Sequence, residues 1–173
     1  MYTSYGTSSQ SLTEPLTHPS HLDLPSTAAS TQGPPVLDGL RVLVVACDAE
    51  FRKITADRLA RHGAQVITVG TPDEALDALR RAQPDILIHS VESSDEDPFA
   101  LMLRVRMLEM ELGKPIPAVA LTAHPSPRES RRAFTAGYKI YMPRTASMKD
   151  LTTTLAILAG RTGYFRKLRA QCA

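Results

Sequence analysis

Two regimes of hydrophobic patterning divide the chain. Residues 1–37 are rich in Ser, Thr and Pro and carry no apolar period. Such a segment buries too little surface to offset the entropy of ordering it, so disorder is expected there, with Gly33-Pro34-Pro35 near its close. From Leu40 the pattern is that of a folded domain. Val42-Leu43-Val44-Val45 is a short, unbroken, β-branched run of the kind found in strands buried on both faces. Asp48 is placed to cap a helix running to about His62, with Gly63 as its stop. Val66-Ile67-Thr68-Val69 predicts a second strand. Thr71-Pro72-Asp73-Glu74 has the form of a capping box with Pro at the first helical position, and the helix behind it buries Leu76, Leu79 and Ala82. Asp85-Ile86-Leu87-Ile88 predicts a third strand. Leu101, Val105 and Leu108 fall at i, i+4, i+7 and mark a third helix. Ala118-Val119-Ala120-Leu121 predicts strand four. Ser126-Pro127-Arg128-Glu129 repeats the capping-box form, and its helix ends at Gly137. Lys139-Ile140-Tyr141-Met142 predicts strand five, and Ser147 caps a last helix buried through Leu151, Leu155 and Leu158.

Five strands alternating strictly with five helices predict an α/β fold, a doubly wound five-stranded parallel sheet covered on both faces. In such sheets the functional crevice lies beyond the carboxyl ends of the strands. Here those ends are Ala46-Cys47, Ser90, Thr122 and the stretch from Met142 to Thr145.

Charge and composition narrow the function. Residues 1–37 carry Glu14 and Asp23 and no Lys or Arg, while residues 161–173 carry Arg161, Arg166, Lys167 and Arg169. The span between them is balanced, which argues against a dedicated nucleic-acid surface. No apolar run reaches the roughly 18 residues of a membrane-spanning helix. The N-terminus lacks the basic start and apolar stretch of a secretory signal. Cys47 and Cys172 form neither a disulfide framework nor a metal spacing, which favours the reducing cytoplasm. Three segments are expected: a disordered segment over 1–37, one domain over 38–160 and a basic tail over 161–173.

Several blocks in this domain resemble, in the correct order and spacing, the receiver domains of bacterial response regulators, particularly those attached to hybrid histidine kinases. They are Leu37-Asp38-Gly39-Leu40-Arg41-Val42-Leu43-Val44-Val45, Phe51-Arg52, Pro84-Asp85-Ile86-Leu87-Ile88, Ile116 to Ala123, and Arg131 to Gly137. The resemblance spans roughly Gly39 to Gly160. It implies a flavodoxin-like sheet of strand order 2-1-3-4-5 and a place in two-component signalling. It also implies five chemical positions: two adjacent carboxylates that help hold Mg²⁺, an Asp that accepts the phosphoryl group, a Thr or Ser, and a Lys usually followed by Pro. The acidic pair aligns with Ala46 and Cys47, the phosphoacceptor with Ser90, the Thr position with Thr122 and the Lys position with Arg144, followed by Thr145. An aromatic three residues before the Lys position aligns as Tyr141.

Mg²⁺ wants oxygen ligands in near-octahedral geometry; Ala46 offers none and a Cys sulfur is too soft. Loss of Mg²⁺ binding is therefore expected, with no other cofactor or metal. Phosphoryl transfer depends on neutralising developing charge, mostly through that metal, and Ser90 cannot form an acyl phosphate. Arg144 keeps the cation but not the point-charge geometry of Lys. Without a following Pro, a cis peptide after Arg144 is disfavoured by about 2.5–4 kcal/mol. A slipped alignment pairing Cys47 with Asp48 still supplies one carboxylate, and Asp95, Glu96 and Asp97 lie beyond the strand end.

Thr122 reads either as a relic switch residue or as a strand-end hydroxyl capping a local turn. Tyr141 reads as a gate on a partner surface or as packing, and Cys47 as a small buried hydrophobe in preference to a redox sensor, since no cation adjoins it in sequence. His18 and His21 belong to a solvated segment. Met102, Met107 and Met110 suit a soft contact surface or the core. The expected function is a non-enzymatic signalling module, docking on a histidine kinase or another regulator through Phe134, Tyr138, Tyr141 and Leu151 without being switched by phosphate. The alternatives are a conventional phosphoryl-accepting receiver and a small-ligand sensor using the vacated crevice. The basic tail reads as a frayed extension, with docking on an acidic partner, nucleic acid or a membrane surface as the alternative.

Overall fold

Strands that are apolar on both sides must be covered on both sides, and the sheet is built by that rule. A computed structural model describes residues 36–91, 97 and 99–161, all within the unit Gln32–Ala173. Its elements are β1 (Arg41–Val45), α1 (Ala49–Arg61), β2 (Gln65–Val69), α2 (Pro72–Ala82), β3 (Ile86–Val91), α3 (Ala100–Leu112), β4 (Ala118–Thr122), α4 (Pro127–Ala136), β5 (Ile140–Pro143) and α5 (Met148–Leu158). The strands form one sheet in the order β2-β1-β3-β4-β5, and every pairing is parallel. The architecture is the flavodoxin-like one expected.

The period-2 alternation of each central strand sends its residues to two separate cores. On one face Leu43, Val45 and Leu87 pack with Leu76 and Leu79 of α2, Leu101 and Val105 of α3, and Ala133 of α4. On the other, Val42, Val44, Ile86 and Ile88 pack with Leu59 of α1 and Leu151 and Leu155 of α5. β3 and β4 are buried along their whole length, whereas the edge strands β2 and β5 are not.

Local sequence sets the helix starts. Asp48 accepts from the backbone N–H groups of Glu50 and Phe51. Thr71 and Glu74 complete a reciprocal capping box, and the backbone N–H groups of Gly70 and Thr71 hold the Glu74 carboxyl below its ordinary range. Ser126 and Ser147 accept from Glu129 N and Asp150 N. The second expected capping box is only half made: Glu129 instead accepts the Tyr141 hydroxyl at 3.1 Å, a tertiary partner its own helix could not advertise. Gly137 ends α4 at φ +117, a conformation that L side chains rarely adopt.

The N-terminal boundary moves earlier than residue 38. Leu37 is fully buried in the α1/α5 core. Its N–H donates to His62 O at 3.0 Å, and Gly39 N–H donates to Gly63 O at 3.1 Å. The apolar pair Val36-Leu37 has no period to reveal it, yet Leu37 is core and Val36 packs against that core. At the other end the Arg161 guanidinium donates to the carbonyl of Asp38. Otherwise the expected disordered segment, with His18 and His21, and the basic tail lie outside the described residues. The methionines of α3 divide: Met102 is core, while Met107 and Met110 are exposed beside Leu103.

These contacts rank two substitutions. Leu155→Ala empties a fully buried site in α5 and is expected to cost about 2–5 kcal/mol, whereas Thr71→Ala removes an exposed cap worth about 1 kcal/mol. Urea unfolding of both variants checks this, and equal midpoints would contradict the packing described.

Candidate functional site

Polar side chains near the carboxyl ends of β3 and β4 lie inside a buried sheet, so each needs a partner. Three occur there: His89, Ser90 and Thr122, all buried. Thr122 Oγ1 accepts from His124 N at 3.2 Å, closing a local turn. Ser90 Oγ accepts from Arg144 Nε at 2.6 Å. His89 Nδ1 lies 2.6 Å from the Tyr138 hydroxyl, and the two rings stack with centroids 6.1 Å apart.

Arg144 gathers the carboxyl end of the sheet. Besides its bond to Ser90 on β3, its backbone N–H donates to Thr122 O at 2.7 Å, and its guanidinium carbon sits 4.4 Å from the centroid of Phe51 on α1. A second guanidinium, that of Arg52, donates to the carbonyls of Ala46 and of Cys47, the latter at 2.9 Å. Two cations therefore sit beside Ala46, Cys47 and Ser90. The donor set at those three positions is a methyl, a thiol and a hydroxyl already bonded to a guanidinium. Among the described residues no three His, Cys, Asp or Glu side chains converge as a metal cluster, and no cis peptide bond occurs.

Beside these three positions opens a crevice of about 400 Å³, lined among others by Ala46, Cys47, His89, Ser90, Asp97 and Arg104. Ala46, Cys47 and Ser90 thus come together as expected. Thr122, Tyr141 and Arg144 do not line it. Cys47 is exposed, not the small buried hydrophobe expected, because β1 ends at Val45 and the chain has left the sheet. Of the alternative acids, Asp48 is taken up by capping α1. Asp97 accepts from Phe99 N at 3.1 Å and pairs with Arg132 at 3.8 Å. Asp95 and Glu96 lie outside the described residues.

The expected docking surface needs correction. Phe134 is 50% exposed and Tyr141 is half-buried, but Tyr138 and Leu151 are core residues. Leu151 faces the sheet from the first turn of α5. Tyr138 turns inward from the end of α4 to meet His89 and, edge-on, Phe99. Burial, and secondarily the charge of Asp97, holds the Tyr138 phenol above its ordinary value.

His89 is the residue that sequence reading missed. Its signal was a basic side chain on the same strand face as Leu87 and Val91, within a run otherwise buried and apolar. Burial pushes its imidazole from 6.5 down to about 4.

No family model matches the chain. An uncharacterized 14.6 kDa protein in the sodA1 3′ region of Leptolyngbya boryana is 32% identical over 110 residues, covering 64% of this chain and 82% of that one. The sensor histidine kinase RcsC of Salmonella typhi is 30% identical over 133 residues, or 77% of this chain and 13% of the kinase. The chain thus matches a small part of that kinase's length. Among solved structures, the chemotaxis protein CheY4 of Vibrio cholerae, at 23% identity and a TM-score of 0.62, covers 69% of this chain and 98% of its own. That likeness is one of fold.

Two measurements test the geometry. A double-mutant cycle on Arg144→Ala and Ser90→Ala is expected to return a coupling of about 1.5–3 kcal/mol, the size of a hydrogen bond to a charged group. Additive effects would mean that the contact contributes nothing. For His89, the unfolded chain takes up a proton below about pH 6.5 and the fold only near 4. The unfolded state therefore holds more protons in that window, and stability falls as pH falls through it. Between pH 7 and 5 the loss attributable to this group is roughly 2 kcal/mol. His89→Gln is expected to flatten the pH profile of urea unfolding by that amount, and parallel profiles would refute the assignment.

Proposed function

We propose that this chain, whose homologues and fold neighbours are CheY-like response-regulator receiver domains, signals by protein docking and not by accepting a phosphoryl group. The observation that carries this reading is the Arg144–Ser90 bond. In the family an acceptor carboxylate is expected at that position, with a divalent cation beside it. Here a hydroxyl stands there, with its lone pairs turned to a guanidinium.

The residues do not fit magnesium. A hard divalent ion needs several oxygens, and the two nearby carbonyls are engaged by Arg52. The Arg144 and Arg52 cations would repel it further. A serine hydroxyl is also a weak nucleophile, and among the described residues no positioned base adjoins it, since His89 projects from the opposite face of β3 toward Tyr138.

What remains for recognition is surface. Phe134 on α4 and Ile157 on α5 are exposed apolar side chains, and on β5 the Tyr141 ring is half-buried with its hydroxyl tied to Glu129. An exposed aromatic on a polar helix is a suitable anchor for a protein partner. The expected partner is a signalling protein, a histidine kinase or another regulator. The role is non-enzymatic. No helix among the described residues is long and apolar enough to cross a membrane.

The test is an amide NMR titration of the whole chain with Mg²⁺ and beryllofluoride, the phosphoryl mimic. No saturable shift is expected near Ser90 and Thr122, and a stoichiometric shift there would end the reading. Once a kinase or regulator partner is in hand, Phe134→Glu is expected to weaken its binding at least tenfold with the melting temperature unchanged, and acetyl phosphate is expected to leave affinity as it was.

A further inference from the structure

The crevice has a feature that docking does not use. Its walls are largely apolar, built from Val45 and Ala46 at the end of β1, Pro72 at the start of α2, and Ala100 and Leu101 at the start of α3. The rim charges are already matched: Arg104 bonds Asp73 at 2.7 Å, and Asp97 pairs with Arg132. The wall also contains one imidazole, that of His89, which is 6% exposed.

The bonds of that imidazole define what it offers. Nδ1 is taken by Tyr138. Nε2 has no hydrogen-bond partner among the described residues, yet no sealed side-chain nitrogen or oxygen there lacks one. Nε2 must therefore open onto space, and the space that His89 lines is the crevice. The Tyr138 hydroxyl is buried and finds its one described partner in His89, so its proton is satisfied only by donation to Nδ1. That fixes the neutral tautomer with hydrogen on Nε2 and turns an N–H donor into an apolar chamber. The chamber's volume, about 400 Å³, lies within the range of small-molecule sites, roughly 300–1,000 Å³.

We propose that the crevice is a binding site for a small, largely apolar molecule held through a carbonyl or carboxylate oxygen by the His89 Nε2–H. The walls supply mostly apolar contact area, and the buried His89 Nε2–H selects an acceptor, beside the Cys47 thiol and the Ser90 hydroxyl that also reach the lining. A buried donor left unpaired is costly, so a ligand lacking that oxygen is penalised. This site goes beyond the docking role and does not need it. The two fail separately, because the beryllofluoride titration reports on Ser90 whereas the following experiment reports on His89.

The probes are acetophenone, benzoate and toluene, which share a ring and differ in the acceptor. Amide and histidine-ring nitrogen NMR spectra of the intact chain are recorded through each titration. Without ligand, the His89 ring is expected in the Nε2–H tautomer. Acetophenone or benzoate, in the millimolar range, is expected to shift Val45, Ala100, Leu101 and His89 Nε2 saturably, with toluene roughly fivefold weaker or more. A preference for benzoate assigns the ligand class as carboxylates, and one for acetophenone as neutral carbonyls. His89→Phe is expected to abolish the discrimination against toluene. Should that variant fail to fold, the tautomer and the toluene comparison in the native chain decide. An Nδ1–H tautomer, equal affinity for toluene, shifts scattered away from the crevice, or no saturation with any probe would each overturn the proposal.

Discussion

A polar side chain placed in a strand covered on both faces has no water to fall back on, and leaving it unbonded costs roughly 1–3 kcal/mol. That constraint organises the functional end of this molecule. Ser90 draws Arg144 across the sheet, His89 draws Tyr138 in from the end of α4, and Thr122 folds the following turn onto itself. Each requirement fixes a different segment: the β5–α5 connection, the α4–β5 corner and the loop after β4. The corner then carries Phe99 and Arg132 with it, since Tyr138 meets Phe99 edge-on and Arg132 lies over the Phe99 ring.

A site that binds a metal ion gathers like-charged ligands, whose mutual repulsion the ion relieves. Here the cation and the hydroxyl have already met, and Arg144 also rests on Phe51, so the end of β5 is tied to α1 before any ligand arrives. The same economy gives the crevice its character. With the guanidinium groups turned toward carbonyls, a hydroxyl and a ring, its walls are left mostly to carbon.

The sequence announced what is decided within a few residues. Asp48, Thr71, Ser126 and Ser147 cap the helices they were expected to cap, because a cap bonds an amide two or three positions away. The central strands were legible because burial on both faces leaves an unbroken apolar run. Contacts between distant positions were not. The Arg144–Ser90 bond joins residues 54 apart, and the His89–Tyr138 bond residues 49 apart. Tyr138 looked like a surface residue because an aromatic side chain near a helix end can turn either way, and Leu151 was read both as part of the buried stripe of α5 and as docking surface; the packed sheet keeps both inside. Glu129 satisfied a capping pattern and then bonded Tyr141. The alignment pointed to Ala46, Cys47, Ser90, Thr122 and Arg144; it could not reveal that Arg144 grips Ser90 or that Thr122 both closes a turn and bonds the Tyr141 hydroxyl.

One feature of the fold reaches beyond the site. Asp38, at the start of the described domain, accepts a hydrogen bond from Arg161 at its finish. A domain whose two ends touch adds almost no length to the path of a backbone passing through it. It can be spliced into a surface loop of a larger protein, or have its ends joined and reopened elsewhere, without prising the host or itself apart. The proteins this chain resembles include a small one and a stretch of a long kinase, and such geometry suits both settings.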